Sequence, residues 1–309
     1  MTTSTRLNAL VTGASRGIGR AIAEKLAARG CRVAVHFQRN RAAADATLAG
    51  LPGEGHALFA ADITEAEEVA RLWREVTAAF GRVDIVVNNA GTFDYHEPLA
   101  TDYAGWQREW QRTLATNLLG PANLCHLAAN AMAAAGGGRI VNISSRGAFR
   151  GEPRAPAYGA SKAGLNSLSQ SLAVALAPRS VYVFCLAPGW VETDMAGDYL
   201  SGTLGAEIRA QHPLGRVATP EEIARTAAFC ALDAPATMTG CIIDVNGAFW
   251  FRKEIVVPAA WAGKDLELSL GSIDDLDTTY FNGQQVGATG GDGDQKYNLP
   301  RKYKVPGAM

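Results

Sequence analysis

The chain has 309 residues, enough for one large α/β domain or for two domains. Its 48% hydrophobic and 19% charged content fits a globular protein with a sizeable core, and no apolar run approaches the roughly 20 residues of a membrane span. A net charge of -1, from 29 Lys and Arg against 30 Asp and Glu, supplies no basic field for phosphodiester backbones. Nucleic acid and membrane are therefore not expected as partners, and a small-molecule or carrier-bound substrate is.

The first eight residues run directly into the apolar Ala9-Leu10-Val11, without the basic and apolar regions of a signal peptide, so the expected compartment is the cytoplasm. Cys31, Cys125, Cys185, Cys230 and Cys241 are widely spaced, and four of them sit among apolar or small residues, as buried thiols do. His36, His56, His96, His126 and His212 lack ligand spacing with Cys or acidic neighbours. They read as surface or internally satisfied histidines, and no metal site is expected.

Short apolar runs at Leu10-Val11 and residues 33–37, 83–87, 140–143, 181–186 and 242–245 alternate with Ala- and Leu-rich helical stretches. Continuous apolar strands separated by helices imply a parallel sheet covered on both faces, and right-handed crossovers make it doubly wound. The helix expected after Gly19 places Ile22 and Leu26 on one face, and Gly30 marks its end.

Between the first strand and first helix lies Thr12-Gly13-Ala14-Ser15-Arg16-Gly17-Ile18-Gly19. Glycines there let backbone approach a pyrophosphate, and the helix N-terminus offers free N–H groups. A lone glycine turn also serves strand–helix packing, so further segments matter. Asn88-Asn89-Ala90-Gly91, Asp62-Ile63 and Pro188-Gly189-Trp190-Val191-Glu192-Thr193 each follow an apolar stretch, at the sheet end where ligands of such folds bind. Tyr158 and Lys162 are four apart at the start of a helical run to Leu176, hence on one face. Ser145 closes the strand before them, and Asn117 lies in another helical stretch.

Over residues 1–249 this ordered set resembles the short-chain dehydrogenase/reductase family, including Leu214-Gly215-Arg216, Thr219-Pro220-Glu221-Glu222 and the closing Asp244-Val245-Asn246-Gly247. The resemblance implies a Rossmann-type fold, nicotinamide chemistry and a homo-oligomer, tetramer or dimer. It implies a catalytic set of Ser145, Tyr158, Lys162 and Asn117. It also implies a cofactor site of Gly13, Ser15, Arg16, Gly17, Ile18, Gly19, Arg39, Asp62, Ile63, Asn89, Ala90, Gly91, Tyr158, Lys162, Pro188, Gly189, Val191 and Thr193.

Tyr158 is then the proton donor to a carbonyl, or the acceptor in the oxidative direction. A Lys162 ammonium ~5 Å away is worth about 3 kcal/mol at an effective dielectric of 20, roughly two pK units toward phenolate. Ser145 orients the carbonyl oxygen, and Asn117 holds a water linking Lys162 to solvent. Phe37 stands where NAD-preferring relatives carry a ribose-binding acid, and Arg16 and Arg39 offer guanidinium to a 2′-phosphate, so NADP(H) is the expected cofactor.

Residues 92–101 and 195–211 are expected to wall the substrate, with Phe93, Tyr95, Phe149 and Trp190 as candidate apolar lining. The chain looks most like 3-oxoacyl carrier-protein reductases, while sugar, polyol and other secondary-alcohol dehydrogenases share every motif quoted. From Trp250 the character changes to short β-like runs, with strict alternation in Leu266-Glu267-Leu268-Ser269-Leu270 and a hairpin signal at Asn282-Gly283.

Residues 250–309 form a β-rich extension resembling part of the sugar-binding jelly roll of sialate O-acetylesterases. The resemblance is carried by Pro258-Ala259-Ala260-Trp261, by Asp274-Asp275-Leu276-Asp277 and by Arg301-Lys302-Tyr303. Weak carbohydrate contact through Asp274, Asp275 and Asp277, and a glycan-binding protein built on a reductase scaffold, follow as alternatives. A fused reading frame is another.

Overall fold

A computed structural model of the chain describes residues 6–194, 196–197, 199–210, 212, 214–246, 264–272, 277–281, 284–289 and 300–306. The chain divides into two compact units, Met1–Phe249 and Trp250–Met309. In the first, β1 (Asn8–Val11), β2 (Arg32–Phe37), β3 (Ala57–Ala60), β4 (Ile85–Asn88), β5 (Gly138–Ile143), β6 (Val181–Pro188) and β7 (Ile242–Val245) form one sheet. Its order is β3-β2-β1-β4-β5-β6-β7, and every pairing is parallel.

The apolar runs are continuous because both faces are covered. Successive side chains point to opposite faces. Ala9, Val11, Ile85, Val87, Val141, Phe184 and Leu186 enter a core with Ile22 and Leu26 of α1 (Gly17–Ala28) and Ile223 of α9 (Pro220–Ala228). Leu10, Val86, Ile140 and Val183 point the other way, toward Val69, Leu72, Trp73 and Val76 of α3 (Ala66–Phe80) and Leu124 and Met132 of α5 (Gly120–Ala134). Each fully buried Leu, Ile or Phe contributes about 1.5–3 kcal/mol by leaving water. Among the described residues, no helix is long and apolar enough to cross a membrane.

Several boundaries differ from the sequence reading. The helix begins at Gly17, inside the glycine turn, and ends at Ala28, with Arg29 capping it and Gly30 following at φ +86°. The strand expected over residues 83–87 runs from Ile85 to Asn88, and Asp84 just before it accepts from the Asn8 N–H at 2.8 Å. β3 was not foreseen as a strand; its residues are partly exposed and carry no continuous buried signature. Cys31, Cys125, Cys185 and Cys230 are buried, and Cys241 is exposed.

In the second unit β8 (Leu266–Ser272) pairs antiparallel with β11 (Pro300–Val305), and β9 (Asp277–Phe281) with β10 (Gln284–Thr289). The expected turn at Asn282-Gly283 lies outside the described residues, as do Asp274, Asp275, Trp261, Met195 and Gln211. The strands on either side of that turn pair directly from Phe281 to Gln284.

Candidate active site

The chain passes from β1 outward to β2 and β3, then returns to β4 on the other side of β1. That reversal opens a crevice at the carboxyl ends of β1 and β4, where open α/β sheets bind ligands. The cleft found there has a volume of about 510 Å3, and all eighteen residues expected to hold the cofactor line it. Ser145 lines it too, whereas Asn117 does not.

The glycine turn is built for close approach. Gly13 and Gly17 have φ of +63° and +53°, and a Cβ on Gly13 would lie 2.9 Å from the Ala90 Cα. A Cβ on Gly19 would overlap the Gly13 carbonyl oxygen and the Asn89 amide. Thr12 joins the two strand ends: its Oγ1 accepts from the N–H groups of Asn89 and Ala90, both at 3.0 Å. Asn89 Nδ2 donates to the Thr12 carbonyl at 3.0 Å and to the Gly13 carbonyl at 3.2 Å.

His36, read from sequence only as a surface or satisfied histidine, anchors the same turn from below. It is 2% exposed. Its Nδ1 accepts the Gly13 N–H at 3.1 Å, and its Nε2 lies 3.1 Å from the Ala61 carbonyl, to which it donates. Burial pushes its pKa down to about 4, outweighing the Ala61 bond and the Asp62 charge, so the ring is neutral and carries its proton on Nε2.

At the far end the cleft is lined by Phe37, Gln38, Arg39 and Asp62. Burial alone would raise the Asp62 carboxyl. Bonds from Thr64, at 3.0 Å from its N–H and 2.7 Å from its hydroxyl, together with Gln38 and the Arg39 charge, bring it below the usual range. The side chains of Arg16 and Arg39 line this end without a hydrogen bond or salt bridge among the described residues, Arg39 acting on Asp62 through its charge alone.

α7 (Pro156–Leu176) carries Tyr158 and Lys162 one turn apart, starting at Pro156 in the position where a missing N–H costs nothing. Lys162 is 4% exposed, its Nζ donates to the Ile143 carbonyl at 2.8 Å, and burial brings it down to about 8. Its Nζ stands 5.7 Å from the Tyr158 ring centroid. Tyr158 does not show the expected shift toward phenolate. Burial pushes it up to about 12, the facing Ser145 hydroxyl opposes this, and the Glu152 charge adds to it. Desolvation disfavours the charged forms of both groups and is the largest influence on each. Ser145 Oγ accepts from the Gly147 N–H at 3.1 Å, leaving its proton free to donate.

Asn117 is fully buried, in a π-helical turn (Ala115–Leu119) between α4 (Tyr103–Leu114) and α5. Its Oδ1 accepts from the Thr92 N–H at 2.8 Å, and its Nδ2 donates to the Thr92 carbonyl at 3.0 Å and to Ser161 Oγ at 3.2 Å. It fixes the loop after β4 from one layer behind the cleft, and such turns are frequent at functional sites. A Cβ on Gly91 would meet Asn117 Oδ1 at 3.3 Å and Lys162 Nζ at 3.6 Å, so the three groups adjoin.

Beyond Tyr158 the walls are aromatic. Phe93 lies edge-on to Tyr158 at 4.8 Å between centroids, to Tyr95 at 5.5 Å and to Tyr199 at 5.8 Å, and Trp190 lies 5.8 Å from Tyr199. Phe93 and Trp190 line the cleft, while Tyr95 and Phe149 do not; Phe149 is 49% exposed. Tyr199, Arg146 and Glu152 were not singled out from sequence, because their positions depend on how the loops after β5 and β6 fold over the sheet.

Residues 13–249 match a family model described as enoyl-(acyl carrier protein) reductase. The chain is 38% identical over 245 residues to a 3-oxoacyl-acyl-carrier-protein reductase FabG of Staphylococcus aureus, covering 79% of this chain and 98% of that one. It is 41% identical over 244 residues to the Escherichia coli reductase of the same name, covering 78% and 96%. A crystal structure from Agrobacterium tumefaciens named for gluconate dehydrogenase activity superposes with a TM-score of 0.73 at 31% identity, covering 79% of this chain and 95% of that one. With the sheet order, the glycine turn and the Ser145, Tyr158 and Lys162 geometry, these matches establish that the chain belongs to the short-chain dehydrogenase/reductase family.

Proposed function

We propose that the chain is a cytoplasmic, homo-oligomeric NADPH-dependent reductase that converts a carbonyl to a secondary alcohol, with Tyr158 as general acid. The observation that carries this is the single cleft in which the glycine cradle at residues 13–19 and the Ser145, Tyr158 and Lys162 set meet. The cradle fits a dinucleotide: two glycines at positive φ and a third with no room for a side chain expose backbone N–H groups at a helix start. When bound, the nicotinamide supplies the hydride.

The residues supply the rest. Tyr158, held protonated by burial, gives its proton to the carbonyl oxygen as negative charge develops there. Ser145 donates a hydrogen bond to the same oxygen, fixing its position. Lys162, charged below about pH 8, stabilises the phenolate that Tyr158 becomes, and Asn117 holds the adjoining loop through which a water returns the proton.

NADPH is favoured over NADH by Arg16 and Arg39, which lack ion-pair partners in the described structure and so are free for a 2′-phosphate, while Phe37 offers no carboxylate against it. The assay is NADPH and NADH affinity in Arg39→Ala. A rise of about 10- to 100-fold in the NADPH Kd with NADH unchanged supports the assignment, and equal changes refute it.

The 3-oxoacyl thioesters named by the relatives are the first substrate class to try. Oxidation of a sugar acid or polyol is the second reading, supported by the structural neighbour's name and by the charged residues Arg146 and Glu152 in the cleft wall.

A further inference from the structure

The cleft wall beside Ser145 carries charge that the reduction itself does not use. Arg146 follows Ser145 directly, and its N–H donates to the Pro188 carbonyl at 2.9 Å, fixing the residue against the end of β6. Its half-buried side chain lines the cleft and makes no hydrogen bond or ion pair with the described residues. Glu152 lines the same wall and is also unpaired, lying too far from Arg146 to form a salt bridge. Arg150, exposed nearby, adds a second cation. Of these two cations only Arg146 lines the cleft, where it shares the wall with Glu152. Asp194, on the loop after β6, also lines the cleft.

A second observation lies next to Gly189, another cleft residue. His212 is 6% exposed, and its Nε2 is buried without a hydrogen-bond partner. That atom would be 3.4 Å from a Cβ at Gly189. Burial and the charges of Arg146 and Arg216 hold its pKa below the ordinary value, so it is a neutral ring at physiological pH. The half-buried Arg146 guanidinium faces the cleft without a hydrogen-bonded or salt-bridged partner among the described residues, and His212 Nε2 lies buried behind the Gly189 wall, so the cleft side of Arg146 is open to an anionic ligand. Phe93 and Trp190 would serve an apolar chain, but such a chain leaves Arg146 unpaired. A carboxylate matches the planar guanidinium fork with two parallel bonds.

We propose that Arg146 is a specificity-determining residue that binds the carboxylate of a free oxo or hydroxy acid in the Ser145–Tyr158 cleft. This rests on the reading of that cleft as the carbonyl-reducing site, and it narrows the substrate from thioesters and neutral polyols to free acids. Glu152 confines the anion to the Arg146 side by like-charge repulsion. Short 3-oxo acids and polyhydroxy acids share the required group.

The test uses the full chain and two matched pairs. Acetoacetate is compared with an acetoacetyl thioester using NADPH, and D-gluconate with D-sorbitol using NADP+. The productive pair tells which acid is the source. Expected is a preference for the acid in kcat/KM of about 10- to 100-fold, as one charge-assisted bidentate contact provides, residing in KM. In Arg146→Gln the ratio falls toward one, and Arg146→Lys, which keeps charge but loses the fork, lies between. The proposal is overturned by preference for the neutral member in both pairs, by a ratio unchanged in Arg146→Gln, or by no calorimetric binding of either acid to the cofactor-loaded protein. Failure of the underlying reading looks different: turnover that survives Tyr158→Phe, or a protein that binds neither cofactor.

Discussion

Acidification should loosen the glycine turn through His36, by an amount that the structure sets. The folded pKa of about 4 lies below the ordinary 6.5 because the ring is buried and neutral between the Gly13 N–H and the Ala61 carbonyl. Above about pH 6.5 the ring is neutral folded and unfolded, so its bonds contribute in full. Between about pH 6.5 and 4 the unfolded chain takes up a proton that the folded one refuses, and stability falls by about 1.4 kcal/mol per pH unit. The loss reaches about 2 kcal/mol near pH 5 and levels off near 3 kcal/mol once the folded ring also protonates. Urea unfolding at about pH 7.5 and pH 5, for the native chain and for His36→Gln, isolates this effect, since carboxylates titrate equally in both. The native chain should lose about 2 kcal/mol more than the variant over that interval. NADPH affinity should fall in parallel, because a protonated Nδ1 points a donor at the Gly13 N–H. Equal losses in the two proteins would refute the account of the turn.

Three other outcomes follow from the site. The reductive kcat should be flat from about pH 6 to 7.5 and decline as pH rises through about 8, where Lys162 loses its charge. Lys162→Arg should push that decline to higher pH, and an unmoved alkaline limb would remove Lys162 from the titration. Gly19→Ala should abolish NADPH binding, measured by fluorescence titration, because its Cβ cannot coexist with the Gly13 carbonyl; native affinity would contradict the cradle. Asn117→Ala leaves the Thr92 N–H and carbonyl unpaired and should cost about 1–3 kcal/mol in urea unfolding, with kcat falling more than KM rises.

The sequence was legible where one residue's neighbours in the chain decide its role. Tyr158 and Lys162 meet because helical spacing makes them meet. The turn at residues 13–19 needs glycines whatever surrounds it, and the buried strands announce themselves by unbroken apolar runs. β3 escaped because its four-residue apolar run, Ala57–Ala60, is short and Ala-rich, and as an edge strand it is only partly buried.

His36 was opaque for another reason. Gly13 and Ala61 reach it only through the pairing of β2 with β3 and the turn after β1. Arg146 and Glu152 were not singled out, because only the fold of residues 144–156 brings them half-buried to the cleft wall. The Tyr158 ionisation was misjudged because charge separation was weighed and burial was not.

The resemblance of residues 250–309 to a sugar-binding fragment stands apart from the site chemistry, and glycan binding by the full chain but not by residues 1–249 would support it. The central claim is that Tyr158 drives NADPH-dependent carbonyl reduction. The most direct measurement follows NADPH absorbance with acetoacetate and its thioester in the native chain and in Tyr158→Phe. The account predicts NADPH consumption in the native chain and loss of at least about 1,000-fold in the variant, with NADPH affinity preserved. Consumption that survives the substitution would contradict it.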